Sequence, residues 1–186
     1  MAEVNIPKRS EVPEAFRWDL SDIFSSDADW LAEYEQLKTM PETVARYEGR
    51  LGENARTLLE FLRLEDELSV RLGKLLGYAS CSGDQDTGSS FYQDMRGKAM
   101  SVYVTVSSAA AFATPEIIAI PEDRLRAFYA ELPELETYRR SMYQIRRRAG
   151  HILSPAEETL LAAARKNVQA RCADLPQLGE AETEKL

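Results

Sequence analysis

The sequence predicts an all-α fold of antiparallel helical hairpins. Two long apolar stripes with a spacing of three to four residues lie either side of a short segment dense in turn residues, and nothing in the chain calls for a sheet. The first stripe is Leu58, Phe61, Leu62, Leu68, Leu72, Leu75, Leu76 and Ala79. The second is Phe91, Tyr92, Met95, Ala99, Val102, Val106, Ala109 and Ala113. Between them runs Ser82-Gly83-Asp84-Gln85-Asp86-Thr87-Gly88, so the two helices should fold back on each other.

Taken in order, residues 1–25 form an extended lead-in and anchor. Pro7 and Pro13 suit an extended path, and Trp18-Asp19-Leu20-Ser21-Asp22-Ile23-Phe24 supplies apolar anchoring. Ser26 with Asp29 resembles a capping box, and Trp30, Leu31, Tyr34 and Leu37 follow at helical spacing. That helix should stop near Met40, because the residue before Pro41 is pushed out of helical geometry. A second helix runs from Pro41 to about Glu48, where Gly49 and Gly52 break it. The first long helix spans about Asn54 to Ala79. Val102 to Val106 is rich in β-branched residues, but the helical period continues on both sides and Ala109-Ala110-Ala111 favours helix. Thr114-Pro115-Glu116 reads as a cap, a first-turn proline and a first-turn acid, opening a brief turn that Pro121 ends. Leu125, Phe128, Tyr129 and Leu132 give one short helix. Leu135, Tyr138, Met142 and Ile145 give another that ends near Gly150. Ser154-Pro155-Ala156-Glu157 caps a last helix with Leu160, Leu161, Ala164 and Val168 on its buried face. The helical domain is thus placed at residues 26–170, with a frayed tail at 171–186.

Bulk properties narrow the function. Apolar residues make up 44% and charged residues 29% of the 186, the balance of a globular protein. The formal charge of -8 disfavours nucleic acid as a partner. No segment approaches the run of about 18 apolar residues expected of a membrane helix, and the N-terminus lacks the basic and apolar pattern of a secretory signal. These features predict a cytoplasmic protein with no membrane partner, in which Cys81 and Cys172 are reduced thiols.

The chemistry-bearing residues are few. A helical zinc hydrolase needs two histidines one turn apart with a glutamate beside the first. His151 is the single histidine, and Pro155 stands one turn later, so His151 reads as a structural or solvent-facing residue. Asp84-Gln85-Asp86 resembles the start of a calcium loop, but Ser89 and Met95 stand where the loop glycine and the closing acid belong. The aspartates read instead as turn residues able to cap the following helix. Gly73-Lys74 and Gly97-Lys98 lack the rest of a phosphate loop and lie inside helical stripes. Arg139, Arg140, Arg146, Arg147 and Arg148 make the one basic concentration, read as a solvated or ion-paired face, with contact to acids of a further domain as a middle option and nucleic-acid binding, disfavoured by the acidic chain, as the weakest. No catalytic, cofactor-binding or metal residue is assigned in this chain. From the residues alone, the reading is a helical domain without a self-contained active site.

A resemblance adds to this. Val12-Pro13-Glu14 leading to Trp18-Asp19-Leu20-Ser21-Asp22-Ile23-Phe24 is similar to the opening of oligoendopeptidase F-type peptidases. So are Tyr47-Glu48-Gly49-Arg50-Leu51, the tract from Tyr78 to Thr87, Tyr92-Gln93, Phe112 to Ile118, and Tyr138 through Arg146 to Ser154 with Glu157-Glu158. Their order over about residues 10–165 carries the resemblance. It implies a cytoplasmic zinc metallopeptidase that cleaves short peptides, with a mostly helical body around a channel, and it makes this chain an N-terminal helical lobe forming one wall. In that family a histidine–glutamate–x–x–histidine helix much further along supplies the zinc ligands and the base. The metal there polarises the scissile carbonyl and activates water. The resemblance therefore implies no cofactor in this chain, zinc in the longer parent enzyme, and the zinc-binding portion of the same polypeptide as partner. A piece of a longer peptidase is the expectation, and a free-standing helical protein-interaction module is the alternative.

Overall fold

The structure is a computed structural model that describes residues 11–147. His151, Cys172, Arg148, the helix expected after Ser154 and the tail 171–186 lie outside the described residues. The chain divides between Arg146 and Arg147 into two units, and the described helices build the first. Among the described residues there is no strand, as an all-α fold requires.

Helix α1 spans Asp27–Leu37. The Asp29 amide donates to Ser26 Oγ, and the Ser26 hydroxyl donates to Asp29 Oδ2 at 2.8 Å, so the short aspartate closes the box through the side chain. Helix α2, Met40–Ala45, begins one residue ahead of Pro41, which sits within the first turn where its missing N–H costs nothing. It ends sooner than expected, in turns that lead through Gly49. That residue takes φ +77°, a conformation that favours glycine.

Helix α3 runs Ala55–Gln85, 31 residues or about 46 Å, and Asn54 Oδ1 caps it by accepting the Thr57 amide at 2.9 Å. It continues well past Ala79, through the segment expected to turn. Ser82 and Gly83 are buried within it, and a Cβ on Gly83 would lie 3.3 Å from the guanidinium of Arg96. The turn is only Asp86 to Ser89. Ser89 caps α4, Ser90–Ala109, accepting the Tyr92 amide. The aspartates do not cap it: Asp84 pairs with Arg96 at 2.6 Å.

Helix α5 is Ala113–Ala119, preceded by Phe112, so Thr114 lies inside the helix and does not cap it. Pro115 still falls in the first turn, where a helix tolerates it. Helix α6 is Glu122–Glu131. A 3-10 segment, Pro133–Tyr138, then leads into α7, Arg139–Arg147, where one continuous helix was expected.

The core forms where α1, α2, α3 and α4 meet. Trp30, Leu37, Val44, Leu58, Phe61, Leu75, Ala99 and Val106 are almost completely buried there. Trp30 stacks on Tyr34, and its Nε1–H donates to the Leu75 carbonyl at 2.9 Å. Arg71 on α3 binds Glu33 on α1 through two nitrogens, at 2.6 and 3.2 Å, and reaches Glu67 as well. Leu31 and Phe91, expected on the buried stripes, are exposed.

Candidate interaction surface

Two side chains fix the far end of the fold. Glu116 of α5 accepts the amides of Gly49 (2.5 Å) and Leu51 (3.2 Å), so one carboxylate satisfies two turn donors that a helix leaves free. Arg146 of α7 donates to the carbonyls of Ile117 and Ile120 at the end of α5, and pairs with Glu122 at 3.2 Å. The last carbonyls of a helix lack intrahelical partners, and a guanidinium is a favourable one. Arg139 pairs with Glu136 and lies over the Tyr129 ring at 4.4 Å. The arginine concentration is therefore partly structural, with Arg140 and Arg147 exposed on α7.

Between α3 and α4 lies an open groove of about 500 Å3. Phe61, Leu64, Leu68 and Leu72 come from α3, Tyr103, Val106 and Ser107 from α4, and Glu65 and Asp66 bring carboxylates to it. Asp66 accepts a hydrogen bond from the Tyr138 hydroxyl at 2.6 Å, which raises the tyrosine's pKa. Glu65 has no ion-pair partner among the described residues. Desolvation in the groove, and next the charge of Asp66, hold its carboxyl above the usual range.

The outer face of α4 continues from the groove. Met100, Tyr103 and Val104 are 51%, 43% and 53% exposed, and Ser107, Ser108 and Ala111 extend the same stripe. From Ala99 to Pro115 no residue carries a charge. By length and composition the stretch Ser90–Ala119 is apolar enough to cross a membrane. It is not one rod, however. Helix α4 ends at Ala109, α5 starts at Ala113, and Met95, Ala99, Val102 and Val106 face the core.

A smaller polar pocket sits where α3 turns into α4, lined by Trp18, Leu20, Tyr78, Ser82, Asp86 and Tyr92 among others. The Tyr78 hydroxyl donates to Asp27 at 2.8 Å, and burial, then this bond, raises its pKa. Cys81 is a half-buried free thiol. Gly73-Lys74 and Gly97-Lys98 fall inside α3 and α4, as their periodicity required. Among the described residues no three His, Cys, Asp or Glu side chains converge to hold a metal ion. With one histidine in the chain, the donor set does not fit the zinc that the resemblance implies for the parent enzyme.

The helical period marks neither the groove nor the outer stripe. A signal exists in the charge-free tract, but the periodicity points to the inner stripe alone.

Comparison with known proteins agrees with this architecture. The family profile described as Oligopeptidase F matches residues 116–170. Oligopeptidase PepF of Bacillus subtilis is 42% identical over 159 residues, covering 86% of this chain and 24% of that protein. Group B oligopeptidase PepB of Streptococcus agalactiae is 35% identical over 156 residues, covering 84% and 26%. The crystal structure of oligoendopeptidase-F from Enterococcus faecium superposes with a TM-score of 0.64 at 30% identity, over 78% of this chain and 29% of that one. A solved chain from Chlamydophila abortus, 22% identical, shares the fold with a TM-score of 0.75 over 89% and 28%. The chain thus spans about a quarter of the length of the curated relatives it matches. Over most of its length, this chain matches the N-terminal helical portion of oligoendopeptidase F peptidases.

Proposed function

We propose that this chain serves as the helical wall of the substrate channel of a zinc-dependent, cytoplasmic oligoendopeptidase that hydrolyses short peptides. The observation that carries the reading is the match at 42% identity along 86% of this chain to an oligopeptidase about three and a half times as long. In this reading the chain contributes shape and excludes folded proteins by size, and the zinc-binding part of the same polypeptide contributes the chemistry. No reaction step is assigned to a residue of this chain.

The reading is tested by peptide hydrolysis. The chain alone, with zinc added, should cleave no peptide. A full-length chimera, in which the chain replaces its matched quarter of the Bacillus subtilis relative, should cleave short peptides and lose that activity to a chelator. Chelator-sensitive cleavage by the chain alone, or a folded chimera without activity, would overturn the proposal.

A further inference from the structure

We infer that the uncharged outer stripe of α4 and the adjoining groove form the seat for the rest of an oligoendopeptidase F chain, occupied by an apolar helix that sets a lysine or arginine against Glu65. This deepens the proposed function and rests on it.

Three observations carry the inference. First, the second half of α4 carries apolar side chains outside as well as inside and no charge after Lys98. Its inner stripe is buried in the core, while Met100, Tyr103 and Val104 are each about half exposed. A helix with an uncharged outer face that presents such side chains suits contact with more protein. Second, the groove ends in chemistry that asks for a cation. Glu65 is unpaired among the described residues, and Asp66 beside it already accepts from Tyr138. Third, relatives more than three times as long have the polypeptide to cover such a face.

Rival occupants fit less well. A second copy would set stripe against stripe and leave both Glu65 carboxylates without a cation. A lipid bilayer would meet one face of a helix whose other face is committed to the core, and Glu65 and Asp66 would repel anionic headgroups.

The test uses the same full-length chimera together with the free chain. Met100 is the probe, because a methionine's reaction with peroxide follows its exposure. Met100 should oxidise several-fold more slowly in the chimera than in the free chain. Val104→Glu should leave the free chain's melting unchanged but lower the chimera's activity by at least about tenfold, as charges do at the centre of an interface. Glu65→Lys should have a smaller effect in the same direction. An active chimera in which Met100 reacts as fast as in the free chain sinks the docking seat alone. An inactive chimera with Met100 protected keeps the seat and sinks the peptidase reading. Protection of Met100 by raising the free chain's concentration, or by phosphatidylserine vesicles, assigns the face to a second copy or a membrane and overturns the inference.

Discussion

Helices α3 and α4 belong to one hairpin and share one core, yet their outer faces differ. Along α3 the solvent side carries Arg56, Glu60, Arg63, Glu67 and Lys74, and Glu67 pairs with Arg71 one turn on. Along α4, charge stops at Lys98, which pairs with Asp94, and does not return before Glu116 of α5. Charged outer faces are how helices end a protein at water. In this molecule α3, Val70 apart, is finished against solvent, and the second half of α4 is not. Burial is thus incomplete on the outer side of α4.

The comparison can be broken by substitutions whose effects should differ by side. The largest effect belongs inside. Trp30→Ala removes a buried indole, its stack on Tyr34 and its bond to the Leu75 carbonyl. It should cost about 3–5 kcal/mol in denaturant unfolding. A cost under about 1 kcal/mol would mean that the α1–α3 packing is not what holds the hairpin. Next is Glu116→Ala, which strips the Gly49 and Leu51 amides of their shared acceptor. About 1–3 kcal/mol should be lost, and Glu116→Gln should recover part of it through the remaining carbonyl.

Glu65→Gln sharpens the comparison through pH. The folded pKa of Glu65 is raised, so its protonated form suits the folded state and the relative stability is lost as pH rises through that value. Removing the charge should therefore raise the melting temperature slightly at pH 7, and the difference should vanish on acidification below the ordinary carboxylate range. A lowered melting temperature at pH 7 would reveal a counter-ion for Glu65. The smallest effect is expected on the outer stripe. In the free chain, Val104→Glu should change unfolding free energy by less than about 0.5 kcal/mol. A larger loss would show that this face is already packed.

Much of the fold was legible because caps and periodicity are local. Ser26, Asn54 and the Leu58-to-Ala79 stripe sit where a helix needs them, and each helix formed there. What escaped was set by neighbours far along the chain. Ser82-Gly83 carries the composition of a turn, yet the helix continues because Arg96 lies over Gly83 and hydrogen-bonds Ser80 and Asp84. Thr114 has the chemistry of a cap, but the turn at Ala110–Phe112 starts the helix two residues earlier. Leu31 and Phe91 show that an apolar residue at the right spacing can still point to water. The groove eluded the sequence for a related reason: it needs α3 and α4 in register, and in the chain Glu65 is one of three consecutive acids, Glu65-Asp66-Glu67.

Arg146 bears on how short this polypeptide can be made. Its guanidinium is the terminal stop for α5, contributed from the far end of α7, so the carbonyls of Ile117 and Ile120 depend on the last residue of the first unit. A version trimmed just before Arg146 would leave those oxygens without their donor and free Glu122 to swing away. One trimmed just after it would keep both, which gives engineers of smaller variants a definite boundary to respect.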